Sequence, residues 1–109
     1  MAQWYEEELS QANIKLPKVN FGKHVYHLYV IRTQHRELLI EALEKEQIGY
    51  AIHYPTALPF LDCYKDRGHK VEDFPEAFAH QNEILSLPLY PGMTRSQVEK
   101  VAEVINRTL

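Results

Sequence analysis

Ile48-Gly49-Tyr50-Ala51-Ile52-His53-Tyr54-Pro55 decides how the chain folds. It reads as a short strand that leaves a helix through Gly49 and ends at a proline. Side chains alternate along a strand, so Tyr50 and Ile52 share one face and Ala51 and His53 the other. Pro55 has no N–H to give a ladder, so pairing stops there. His53 and Tyr54 are left at the end of a buried element. Open sheets place ligand contacts at such strand ends. A packed imidazole and a packed ring that close the sheet fit the same local sequence.

Upstream, a helix runs from Thr33 or Gln34 to about Gln47, with Leu38, Leu39, Ala42 and Leu43 as its inward stripe. Gly49 is placed to turn the chain out of it. Before it, His24 to Thr33 (HVYHLYVIRT) is rich in β-branched and aromatic residues and predicts a strand. Val25, His27, Tyr29 and Ile31 would line one face, with Tyr26, Leu28 and Val30 on the other. Further upstream, Ala2 to Ala12 predicts a helix whose stripe is Trp4, Tyr5, Leu9 and Ala12, with Glu6, Glu7 and Glu8 largely off it. Such a helix either docks on the body or packs on something larger; Trp4, Tyr5 and Leu9 predict an apolar face left uncovered and available for association. Asn13 to Lys23, with Pro17 and Gly22, is a connector.

Downstream, Pro59 limits the next segment to a short helix at about Leu58 to Tyr64. A second short helix spans Phe74 to Asn82, with Pro75 in its first turn. Ile84 to Leu89 predicts a strand ended by Pro88. Thr94-Arg95-Ser96-Gln97 is a capping box. It opens a last helix with Val98, Val101, Ala102 and Ile105 at i, i+3, i+4, i+7. The order α–β–α–β–α–α–β–α predicts an α+β or α/β layer: a sheet of about three strands with helices packed on it.

At 109 residues the chain is one domain's length. With 45% hydrophobic and 25% charged residues it is a globule rather than a disordered segment. A net charge of -3 gives no reason to expect nucleic acid or an anionic membrane as partner. No apolar run approaches the roughly 20 residues of a membrane helix. The first residues show no basic region followed by an apolar one, and Cys63 is the single cysteine. A reducing cytoplasm is the expected compartment.

Six histidines raise the question of a metal. His24 and His27, three apart on a strand, would point to opposite faces. No H-x-x-x-H or C-x-x-C spacing occurs, so no metal site is expected. Cys63 lies beside Asp62, whose charge disfavours a thiolate. Ser86 sits between apolar residues without a G-x-S-x-G elbow. No glycine-rich loop offers a phosphate cradle. The residues alone describe a domain with one binding edge and no complete catalytic set.

Three segments carry a resemblance. His27-Leu28-Tyr29-Val30-Ile31-Arg32 is followed by Arg36 and a leucine-rich helix. Gly49 precedes His53-Tyr54-Pro55. Glu83 to Thr94 reads EILSLPLYPGMT. In this order and spacing, over about Tyr5 to Leu109, the chain resembles the C-terminal small domain of the DegT/DnrJ/StrS family of sugar aminotransferases. The resemblance implies a small, mostly antiparallel sheet, as in the small domain of aspartate-aminotransferase-fold enzymes. It implies an interdomain helix and connector over 1–23 and the small domain over 24–109. It implies a pyridoxal phosphate enzyme, active as a homodimer, that moves an amino group from glutamate to a keto sugar carried on a nucleotide. His53 and Tyr54 would then contact the nucleotide-sugar. His27 would serve as a packing residue, or stand behind a substrate contact.

The family's large domain has no counterpart here. With it go the Schiff-base lysine, the aspartate that pairs with the pyridinium nitrogen, and the phosphate-binding groups, on which pyridoxal chemistry depends. No cofactor is therefore expected on this span by itself. Its expected partners are that large domain or a second subunit. A free-standing, non-catalytic module that binds a partner or self-associates is the alternative reading. A small domain that keeps nucleotide-sugar affinity through His53 is a third.

Overall fold

The computed structural model describes all residues, 1–109. Helix α1 (Ala2–Leu9) leads through an extended connector into strand β1 (Tyr29–Arg32) and helix α2 (Arg36–Lys45). Three short 3-10 turns follow at Leu58–Phe60, Asp62–Arg67 and Val71–Asp73. Helix α3 (Pro75–Glu83) runs straight into strand β2 (Ile84–Leu87), and helix α4 (Arg95–Thr108) closes the chain.

β1 and β2 pair antiparallel, with Tyr29 opposite Leu87 and Ile31 opposite Leu85. Those four side chains are buried and face the helices. Val30 and Arg32, opposite Ser86 and Ile84, lie on the other face. The third strand is reduced to one bridge, Ala51 with Ser86, closed by Ala51 N–H to Ser86 O at 3.2 Å and Ser86 N–H to Ala51 O at 2.8 Å. The sheet thus has two strands and a bridged edge rather than three full strands. Pro88 explains much of this. Two steps from Ala51–Ser86 set Gly49 against Pro88, the next pair whose main-chain groups would meet across that edge. Proline has no N–H to extend that ladder.

The expected strand over 24–33 starts only at Tyr29. Its first half curls, with Tyr26 at φ 49°. The Tyr26 N–H donates to His24 Nδ1 at 2.9 Å, and the two rings stack. Val25 and His27 are exposed rather than on a packed strand face, so the packing role expected of His27 is absent.

α4 is the spine. Its predicted stripe is buried, with Val104 added. Each buried valine or isoleucine of that stripe contributes roughly 1.5–3 kcal/mol. Its cap forms as expected: Gln97 N–H donates to Thr94 Oγ1 at 3.3 Å and Thr94 N–H donates to Gln97 Oε1 at 2.8 Å. α1 packs along α4, and the apolar face expected to be free is covered. Tyr5 and Leu9 are among the most buried side chains of the core, and Trp4 and Ala12 pack against it partly buried. Tyr5 stacks on Tyr29 and its hydroxyl donates to Pro88 O at 2.6 Å. Glu7 and Glu8, off the stripe, both meet Arg95 at the start of α4.

In α2, Leu39 and Leu43 are buried but Leu38 faces solvent. The helix ends in a Schellman arrangement: Ile48 N–H to Leu43 O and Gln47 N–H to Glu44 O. The residue in the left-handed region is Gln47, at φ 57°, not Gly49. Gly49 lies two residues beyond the turn that was expected of it.

Residues 54–78 form an arm with no buried side chain. Phe60, Phe74 and Phe78 meet edge to face, and His69 meets Phe74 in the same way. The expected helix at 58–64 is replaced by 3-10 turns, interrupted at Leu61 by extended backbone. The radius of gyration is 15.4 Å, against roughly 13 Å for a compact chain near this length. No helix is long and apolar enough to cross a membrane.

Candidate functional site

The site grows out of the Ala51–Ser86 bridge. Ser86 is the polar residue of the β2 run ILSL and points away from the core face of Leu85 and Leu87. It is nonetheless 4% exposed. Ala51 pairs with it through the backbone, and two residues later His53 returns to the same side. His53 Nδ1 and Ser86 Oγ lie 2.8 Å apart. The imidazole is half-buried, and its Nε2 makes no hydrogen bond within the protein.

His53 and Ser86 open onto a groove of about 550 Å³ between the bridged edge and α4. Tyr50, Tyr90, Gln97 and Lys100 lie along it. Tyr50 is held by its hydroxyl donating to Glu44 at 2.7 Å. That hydrogen bond, with partial burial and the charge of Glu44, raises the Tyr50 phenol above its ordinary pKa.

Tyr54 meets His53 edge to face at 5.6 Å but is 74% exposed. It lines a different, apolar groove with Leu58, Leu61, His80 and Gln81. The structure thus brings the two sequence-predicted residues into contact and opens them on neighbouring clefts. Gln81 Oε1 accepts from Ala57 N–H at 2.8 Å and pins the chain just after Pro55.

Two residues of this region carry more than their sequence context suggested. Ser86 anchors the imidazole, and the legible signal was a serine on the opposite face from two leucines in an otherwise apolar strand. Arg36, 13% exposed in its side chain, donates from Nη1 to Gln81 O at 2.7 Å and to Ile84 O at 3.4 Å, tying α2 to the α3–β2 junction. Arg32 joins it from β1, its guanidinium donating twice to Glu83. No three His, Cys, Asp or Glu side chains converge as a metal site would require. Cys63 is exposed in the arm.

A family model described as the DegT/DnrJ/EryC1/StrS aminotransferase family matches residues 1–106. The chain is 36% identical, over 98% of its length and 29% of the other protein's, to a dTDP-3-amino-3,6-dideoxy-alpha-D-galactopyranose transaminase of Aneurinibacillus thermoaerophilus. It is 33% identical, over 99% of its length and 29% of the other's, to a UDP-N-acetyl-3-dehydro-alpha-D-glucosamine 3-aminotransferase of Acidithiobacillus ferrooxidans. Among solved structures it superposes on DesV of S. venezuelae with a TM-score of 0.92 at 27% identity, covering 97% of this chain and 29% of that one. The sugar aminotransferase Spr1654 of Streptococcus pneumoniae, described as putative and solved in a PLP form, matches with a TM-score of 0.83 at 26% identity, over 97% and 29% of the two chains. The chain therefore spans less than a third of the relatives it matches.

Proposed function

This chain belongs to the DegT/DnrJ/EryC1/StrS aminotransferase family, and on that premise we propose that it forms the small-domain wall of a nucleotide-sugar aminotransferase cleft. In this reading residues 1–23 are the helix and connector towards the large domain, and 24–109 are the small domain. The reaction is amino transfer from glutamate to a keto sugar on a nucleotide, in a homodimer, in the cytoplasm. His53 is the substrate contact, with Tyr54 beside it. The observation that carries the assignment is the His53 imidazole: anchored at Nδ1 by a buried serine, free at Nε2, and set at a groove large enough for a sugar. Exposed Leu58, Phe74 and Phe78 on the arm support a further protein surface packed there.

The residues present do not fit pyridoxal phosphate by themselves. Lys100 is the lysine at the groove, and it is exposed on α4. The Thr94 hydroxyl at the start of α4 is already taken by its own cap. The cofactor's amino-group chemistry belongs to the complementary part of the cleft. This span alone binds no pyridoxal and transfers no amino group; a borohydride-reducible cofactor on it would refute that.

The test is a chimera in which these residues replace their counterpart in the Aneurinibacillus relative. Recovery of that enzyme's transaminase activity supports the reading. A chimera that melts cooperatively, holds its cofactor and yet turns over no substrate overturns it. A non-catalytic binding module is the reading that would then stand.

A further inference from the structure

We infer that Ser86 is the positioning residue that fixes the tautomer of His53, so that the neutral imidazole presents an N–H at Nε2 to the groove. The contact distance does not say which atom carries the proton, but the surroundings do. Ser86 is 4% exposed, and its hydroxyl has one hydrogen-bond partner, His53 Nδ1 at 2.8 Å. A serine hydroxyl has one proton to give and two lone pairs to offer. Were Nδ1 to carry the hydrogen, Ser86 would accept and its own proton would have no partner in the protein. A buried donor without a partner is rarer and costlier than an oxygen with an unused lone pair. With Ser86 donating, both its proton and the Nδ1 lone pair are satisfied.

The backbone leaves little freedom to escape this. Ala51 and Ser86 exchange both main-chain hydrogen bonds, so His53 is tied to Ser86 through the strand edge as well as through the ring. Tyr54 closes one side of the imidazole edge to face. The hydrogen on one ring nitrogen is set by the bond the other makes. The Nε2 hydrogen is therefore left without a partner in the protein, on a half-buried ring that lines the groove. The group it suits is an acceptor oxygen, a phosphoryl or sugar oxygen of the nucleotide-sugar. That last clause rests on the proposed function; the tautomer does not.

The test is a long-range proton–nitrogen correlation spectrum of the protein at about pH 8, where an ordinary imidazole is neutral. The His53 signals are assigned by their loss in His53→Gln. The expected result is an Nδ1 shift of the unprotonated type and an Nε2 shift of the protonated type, at a ratio of about tenfold or more. In Ser86→Ala the ratio collapses severalfold, and in Ser86→Thr, which keeps the hydroxyl, it returns. A wild-type spectrum with the hydrogen on Nδ1, or a ratio indifferent to Ser86→Ala in a variant that still melts cooperatively, overturns the proposal. The wild-type spectrum decides even where a variant does not fold. Adding a nucleotide-sugar to the active chimera separates the two claims. An unmoved Nε2 signal with the tautomer intact ends the substrate contact and leaves the positioning role. A moved signal with the wrong tautomer ends the positioning role and leaves the contact.

Discussion

Two tyrosines stacked in one core should respond oppositely to loss of a hydroxyl. Tyr5 and Tyr29 are both 0% exposed, with ring centroids 4.9 Å apart. The Tyr5 hydroxyl donates to Pro88 O at 2.6 Å, while the Tyr29 hydroxyl is buried without a partner. Tyr5→Phe keeps the stack and strands the carbonyl of Pro88, at a cost of about 1–2 kcal/mol. A loss of that size lowers the melting temperature by roughly 4–8 °C per kcal/mol in a domain near this length. Tyr29→Phe removes a hydroxyl that was desolvated for no return, so stability changes by less than about 0.5 kcal/mol or rises. Urea unfolding followed by fluorescence of Trp4 suits the comparison, because it is the single tryptophan and sits on α1 itself. Equal losses in the two variants, or a silent Tyr5→Phe, would refute the idea that this bond welds α1 to the end of β2.

The same two phenols predict an alkaline transition. Burial, with neighbouring phenols and, for Tyr29, Glu6, raises both well above the ordinary value of 10.0, so the unfolded chain releases these protons first. Their stabilisation is complete below about pH 10 and is lost as pH rises from there through the folded-state values. Tyrosinate absorbance should show Tyr5 and Tyr29 ionising last, together with unfolding; all seven ionising near pH 10 in a folded protein would contradict it. At the end of α2, Gln47 occupies a left-handed position that costs a non-glycine residue about 1–2 kcal/mol. Gln47→Gly should stabilise by about 0.5–1 kcal/mol in denaturant melts, after the added flexibility of the unfolded chain; a loss would show that Gln47 makes a contact worth more than its strain.

The long amphipathic elements were legible because burial follows period. α4 reads from its stripe and cap, and α3 from Pro75 in its first turn. β2 reads from ILSL and its proline. The sheet is smaller than strand chemistry suggests. HVYHLYVIRT has that chemistry throughout, but Tyr26 takes a left-handed backbone with its ring on His24, and the strand begins only at Tyr29. Pro88 limits the 48–55 stretch to one bridge. α1 is legible as a helix that docks on the body or packs on something larger; it docks, and the open face expected of it is covered, because amphipathicity shows that a stripe is buried and not by what. Gly49 was given a turn that Gln47 makes, since the Schellman bonds to Leu43 and Glu44 fix the position regardless of residue type. His53 and Tyr54 were legible as a strand end. Their anchoring was not, because Ser86 lies 33 residues away and only the sheet register brings it alongside.

His53 as a substrate contact is what makes this domain a cleft wall. The deciding measurement is kcat/KM and melting temperature of the chimera with and without His53→Ala. A hydrogen bond to a charged oxygen contributes about 1.5–3 kcal/mol, so kcat/KM should fall roughly 10- to 100-fold while the melting temperature shifts by a few degrees at most. An unchanged kcat/KM, or activity lost only in step with stability, would make His53 a packing residue and leave the cleft wall without its contact.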